Sequence, residues 1–85
     1  MLAQVLEIIA EVTNSPEIVK HPDIRLYDLH LLDSFKTIEL MLALSERLEV
    51  ELAPAEFERE EWATPRAIAA LMEQKVRVKA STPSR

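Results

Sequence analysis

Glycine is absent from the 85 residues. That removes the Gly-rich loops that cradle phosphates and the strained GxSxG elbow of a hydrolase nucleophile. Cysteine is absent as well. There is therefore no disulfide framework and no thiolate metal site, which suits a reducing compartment. Cations are the minority, ten Lys and Arg against fifteen Asp and Glu, for a formal charge of −5. A nucleic-acid binder needs Lys and Arg for its phosphate contacts, so that class is disfavoured. The N-terminal MLAQVLEIIAEV has no basic lead and no small-residue cleavage pattern, and it meets acids at Glu7 and Glu11. It reads as neither a signal peptide nor a membrane span, and the expectation is a cytoplasmic protein. At this length one domain is expected, with a thin core that buries about 60% of the unfolded surface. Such a chain is better suited to presenting a group to other proteins than to walling in a catalytic cleft.

What is present is helical. Leu2, Val5, Leu6, Ile8, Ile9 and Val12 fall on one face of a helix over 2–13. The NSP at 14–16 ends it, because Pro16 cannot continue it. Residues 14–33 form a long connection, which Ser15 and Pro16 open as cap and first residue of a helical turn. Ile18, Val19, Ile24, Leu26, Tyr27, Leu29, Leu31 and Leu32 give this loop apolar anchors. A loop this long and this apolar is expected to pack across the helices. A second helix is expected over 34–48, with Asp33 as N-cap. Pro54 to Glu60 suggests a short helix, and Thr64-Pro65 opens the last one, which carries Ala67, Ile68, Leu71 and Met72 and ends between Lys75 and Lys79. The expected fold is all-α: a small bundle of three main helices plus one short helix, with a long first loop. Its domain spans 1–79, and 80–85 is read as a disordered tail.

The second helix is more apolar than a bundle needs. Thr37, Leu40, Met41, Leu44 and Leu48 make one face, enough to bury it. Phe35, Ile38 and Leu42 form an adjoining stripe, shared with Glu39. Either the core contact is wide, or the stripe is exposed as a protein-docking surface. Charge bears on the choice. From Asp33 to Glu61 nine acids face three bases, Lys36, Arg47 and Arg59. Such an excess is commonly just a solvated surface, but it also suits a docking face for basic partners.

Ser34 stands at the start of this helix, in LLDSFKTIEL. Three readings are open from the residues. It is a structural neighbour of the cap, which is the usual role of Ser beside Asp. It is a nucleophile with His30 and Asp28, which would need hydrogen-bonded side chains and an oxyanion hole. Or its hydroxyl is an attachment point, where a phosphodiester would meet the positive end of the helix dipole. His21 and His30 read as surface or loop residues, with too few ligands around them for a metal site. Trp62, the lone tryptophan, reads as core packing, with a contact role secondary.

LLDSF, with the serine opening the second helix, resembles the acyl and peptidyl carrier protein superfamily. Its members carry 4′-phosphopantetheine on the serine of a D-S-[LIF] motif, a role that Asp33-Ser34-Phe35 would fill. The wider run HPDIRLYDLHLLDSFKTIELMLALSERLEVEL, followed by EFEREEWATPRAIAALM, is similar to the D-alanyl carrier branch. EWATP, at Glu61 to Pro65, favours that branch over fatty-acid carriers. The likeness runs from about Leu6 to Lys75. His30 and Lys36 stand where glycine is expected in that branch, and Lys36 would add positive charge near Ser34.

The resemblance implies a non-catalytic carrier subunit with no metal of its own. A phosphopantetheinyl transferase would move the arm from coenzyme A to Ser34, recognising Asp33. An ATP-dependent D-alanine–carrier ligase would load D-alanine as a thioester. A membrane O-acyltransferase would send it on to teichoic acid or a similar envelope polymer. Phe35, Ile38, Glu39 and Leu42 would dock these partners, and the carrier would be a monomer. The alternatives are a carrier for another acyl or amino-acyl group, and a non-enzymatic helical adaptor in which Ser34 only caps.

Overall fold

The first helix forms where the periodicity puts it. In the computed structural model, which describes residues 1–81, α1 spans Leu2–Thr13 and buries Val5, Leu6, Ile8, Ile9 and Ala10. It stops before the proline. Asn14 takes the left-handed conformation (φ 56°, ψ 40°), and its N–H reaches back to the carbonyls of Ala10 and Glu11. Asparagine visits that region more readily than most residues, so it serves as the helix stop in a chain without glycine.

A 3-10 turn follows at Pro16–Lys20, with proline at its start as expected. Ser15 does not cap it. Its hydroxyl instead donates to the Thr13 carbonyl at 3.3 Å. The long first loop packs as its apolar content requires, with Ile18, Leu26 and Leu32 buried. Two expected anchors are not anchors: Val19 and Leu29 are exposed. The loop is also stitched by backbone. The Leu26 N–H donates to Ala63 at 2.9 Å, and the Arg66 N–H donates to Pro22 at 2.8 Å. Leu31 and Leu32 both donate to the Leu26 carbonyl, closing a tight fold around His30, which is left-handed at φ 60°.

Helix α2 spans Ser34–Leu48. Asp33 caps it from extended backbone, its Oδ1 accepting from the Lys36 N–H at 2.8 Å. Thr37, Leu40, Met41 and Leu44 are buried, so one face makes the core contact. Glu49 closes the helix in the left-handed region, with φ 55°. The expected short helix is instead two 3-10 turns, Pro54–Glu56 and Arg59–Trp62. Phe57 and Glu58 are extended between them, which breaks any continuous helix. The extension brings the Phe57 ring to 5.9 Å from Trp62 and, in a T-shaped arrangement, to 6.4 Å from Tyr27. Trp62 is buried at the centre of the core.

Helix α3 spans Pro65–Ser81. Thr64 caps it, its hydroxyl oxygen accepting from the Ala67 N–H at 3.1 Å. Ile68, Ala69 and Met72 are buried. The helix continues past Lys79 because no helix breaker intervenes before Pro83. The rest of the expected tail, residues 82–85, lies outside the described residues. Helix α1 lies against both α2 and α3. Among the described residues no strand forms, and no helix is long and apolar enough to cross a membrane.

Candidate functional site

The site is the N-terminal end of α2 and the cleft beside it. Ser34 is the first helical residue and is exposed. The N–H groups of a first helical turn have no partner within the helix, and the macrodipole is positive there. Asp33 satisfies one of them, the Lys36 N–H. The hydroxyl thus stands in solvent at a positively polarised tip, beside a carboxylate held in a fixed direction.

A cleft of about 470 Å³ opens next to it. Three walls bound it, two of them consecutive in sequence: the end of the first loop through Tyr27, His30 and Leu32, the start of α2 through Ser34, Ile38 and Met41, and, remote from both, the turn region through Pro54, Phe57 and Arg59. A hydrogen-bond chain holds two of these walls together. Thr37 Oγ1 donates to the Asp33 carbonyl at 2.7 Å and lies 2.6 Å from the Tyr27 hydroxyl. The threonine proton is committed to Asp33, so Tyr27 donates to Thr37. Burial pushes the Tyr27 phenol above its ordinary value, while Thr37 and the nearby Arg59 charge pull it down. Arg59 lies over the Tyr27 ring, 4.6 Å from its centre.

The second stripe of α2 is exposed. Phe35 is 72% accessible, Leu42 61% and Ile38 50%, so these side chains are not part of a wide core contact. Glu39, on the same side, pairs with Lys36 at 3.4 Å. Lys36 does not turn toward Ser34 as its place in the sequence suggested. Its ammonium donates to the Val12 carbonyl at 3.2 Å, where the exposed carbonyls at the end of α1 attract a cation.

The hydrolase arrangement is not assembled. Asp28 pairs with Arg25 at 3.2 Å, and the His30 side chain has no hydrogen bond or ion pair among the described residues. No group of His, Asp and Glu there is placed to hold a metal ion. Tyr27, Thr37, Phe57 and Arg59 were not singled out as site residues by sequence reasoning. For Arg59 a signal exists, since it is the sole cation between Arg47 and Arg66.

Comparison with known proteins agrees with this geometry. The family described as "Phosphopantetheine attachment site" matches residues 3–72. A D-alanyl carrier protein of Listeria monocytogenes serotype 4a is 44% identical over 69 residues, covering 81% of this chain and 88% of the relative. D-alanyl carrier proteins of Staphylococcus saprophyticus and Staphylococcus xylosus are 38% and 37% identical over 71 residues, covering 84% of this chain and 91% of each relative. An all-helical fold, a serine offered at a helix tip and these matches agree: the chain belongs to the phosphopantetheine-attachment family of carrier proteins, in its D-alanyl carrier branch.

Proposed function

We propose that Ser34 bears the 4′-phosphopantetheine and that the chain shuttles D-alanine between enzymes. The observation that carries this reading is the exposed Ser34 hydroxyl at the start of α2, directly after a capping Asp33. In the attachment step the Ser34 Oγ bonds to the phosphorus that bears the pantetheine in coenzyme A. A P–O bond of the pyrophosphate breaks, adenosine 3′,5′-bisphosphate leaves, and the hydroxyl proton passes to a base of the transferase. The bound group supplies a terminal thiol that holds an acyl group as a thioester. The chain itself supplies address and orientation. Asp33 fixes the helix start and offers its second carboxylate oxygen to the transferase. Phe35, Ile38 and Leu42, with Glu39 beside them, give partners an apolar ridge to grip.

The partners this needs are a phosphopantetheinyl transferase, an ATP-dependent ligase that loads D-alanine, and a membrane O-acyltransferase. The last would direct the D-alanyl group to teichoic acid or a similar envelope polymer. We place the carrier in the cytoplasm, with coenzyme A and ATP, as a monomer and as a carrier rather than an enzyme. The relatives' name supports the D-alanyl cargo.

The test is mass spectrometry after incubation with coenzyme A, Mg²⁺ and a promiscuous transferase. A gain of one phosphopantetheine in the wild type, absent in Ser34→Ala, is expected. No gain in the wild type would leave an adaptor with a capping serine. Offering the ligase D-alanine, L-alanine and other amino acids then tests the cargo, and preferential loading of another acid would overturn the D-alanyl part.

A further inference from the structure

We infer that Arg59 is the cation that receives the phosphodiester rooted at Ser34, an inference that rests on the attachment reading above. The two residues border the same cleft from different segments. Arg59 sits in an acidic stretch, with Glu58, Glu60 and Glu61 as neighbours in sequence. Yet among the described residues no carboxylate pairs with it. Its guanidinium lies instead over the Tyr27 ring at 4.6 Å. Attraction to the ring spends none of its N–H donors on an acceptor, and among the described residues the guanidinium makes no hydrogen bond.

The support beneath it is fixed. Tyr27 donates to Thr37, which donates to the Asp33 carbonyl, and the Phe57 and Tyr27 rings pack steeply inclined at 6.4 Å. An arginine so held resists collapse onto its acidic neighbours and keeps a fork of donors at the rim of the cleft. A phosphodiester presents one negative charge and two non-bridging oxygens, the geometry that a guanidinium binds in bidentate fashion. The other cations nearby are committed elsewhere. Lys36 is held by Val12 and Glu39, Arg25 by Asp28, Arg47 by Glu11 and Arg66 by Asp23. Arg59 is the one that shares the cleft with Ser34 and has donors to give. The contact would lean the root of the arm over the cleft, which Ile38 lines but Phe35 and Leu42 do not, leaving those two side chains clear for partners.

The experiment compares apo and holo forms of the wild type, Arg59→Ala, Arg59→Gln, Arg59→Lys and, as control, Arg25→Ala. Mass spectrometry first verifies that each is modified. In the wild type the holo form is expected to melt about 2–4 °C above the apo form, the size of one solvent-exposed charge contact in a domain of this length. That difference should disappear in Arg59→Ala and Arg59→Gln, survive in Arg25→Ala, return in part in Arg59→Lys, and shrink as salt is raised. The ³¹P resonance of the holo protein should move in Arg59→Ala and stay in place in Arg25→Ala. If all variants are modified and the apo–holo difference and the ³¹P line are the same with and without Arg59, the inference falls while the attachment reading stands. If the wild type gains no mass, both fall.

Discussion

Replacing His30 with glycine should stabilise this protein, although it deletes a whole side chain. His30 adopts φ 60°, the left-handed region, where a Cβ crowds the following carbonyl. That crowding costs about 1–2 kcal/mol for an ordinary L-residue. Glycine avoids it but gains freedom in the unfolded chain, which offsets about 0.4–1 kcal/mol. The imidazole contributes little in compensation, since it is exposed and has no hydrogen bond or ion pair among the described residues. The balance for His30→Gly is a gain of about 0.5 kcal/mol, or about 2–4 °C in melting temperature for a domain of this size.

The comparison that isolates the cause is Asn14→Gly. Asn14 has nearly the same backbone, φ 56°, but the short polar side chain of asparagine can hydrogen-bond locally there and offset the crowding, so its replacement should be close to neutral. Urea unfolding followed by circular dichroism reads both, with the slope checked so that only the midpoint moves. A His30→Gly protein less stable than the wild type, or Asn14→Gly as stabilising as His30→Gly, would refute the strain argument. The first result would mean that the imidazole at the cleft wall makes a contact of real strength.

Four further outcomes follow from the same geometry. Phe35→Ala and Leu42→Ala should alter stability by no more than about 0.5 kcal/mol, because both side chains are exposed, while lowering kcat/KM for loading by the ligase about tenfold; unfolding by several kcal/mol would show them to be core. Asp33→Ala should cost about 1 kcal/mol in a denaturant titration through loss of the α2 cap, and a neutral result would mean that its bond to Lys36 is not formed in solution. Tyr27 has a pKa raised above 10.0 by burial, so the stability it contributes is full below pH 10.0 and is lost as pH climbs through the folded value; Tyr27→Phe should flatten that alkaline limb of the stability profile. Asp23 is shifted the other way by its hydrogen bond to Arg66, so its contribution is present above the ordinary carboxyl value of 3.8 and fades as pH falls through the lower folded value; Asp23→Asn should remove that acid-side slope, and an unchanged slope would count against the pair.

The elements that the sequence announces are those whose signals are local. Helix α1 follows from an apolar repeat, and α2 and α3 from a repeat plus a cap, Asp33 or Thr64, whose side chain bonds the third residue on. The serine was readable from its place at the helix start, and the stripe as a surplus over the one face needed for burial; whether that surplus widened the core contact or lay bare is decided by the fold, which leaves it exposed. What escaped reading depends on distant partners. Phe57 breaks the expected short helix because Trp62 and Tyr27 draw its ring inward. Leu29 looked like an anchor by composition, yet the turn around the left-handed His30 leaves it in solvent. Lys36 lies two residues from Ser34 but answers to the end of α1. The cleft could not be foreseen, because only the fold brings Pro54, Phe57 and Arg59 against the loop and helix around Ser34.

The exposed stripe on α2 bears on folding as well as on partners. Burying Phe35, Ile38 and Leu42 would stabilise a thin core by about 1.5–3 kcal/mol each. The fold forgoes that, although the long first loop carries Leu29 and Val19, apolar residues that also remain in solvent. Neither set covers the other. Thr37 instead ties α2 to the first loop through Tyr27, a polar contact that fixes the two segments at the Ser34 end without closing over the stripe. Helix α2 is therefore held from one side and free on the other, with the serine at the boundary. A partner approaching the free side meets apolar side chains and Glu39 without displacing any part of the fold. The energy left unused in folding is available for association, which fits the proposed shuttle, whose partners would be bound in turn and released.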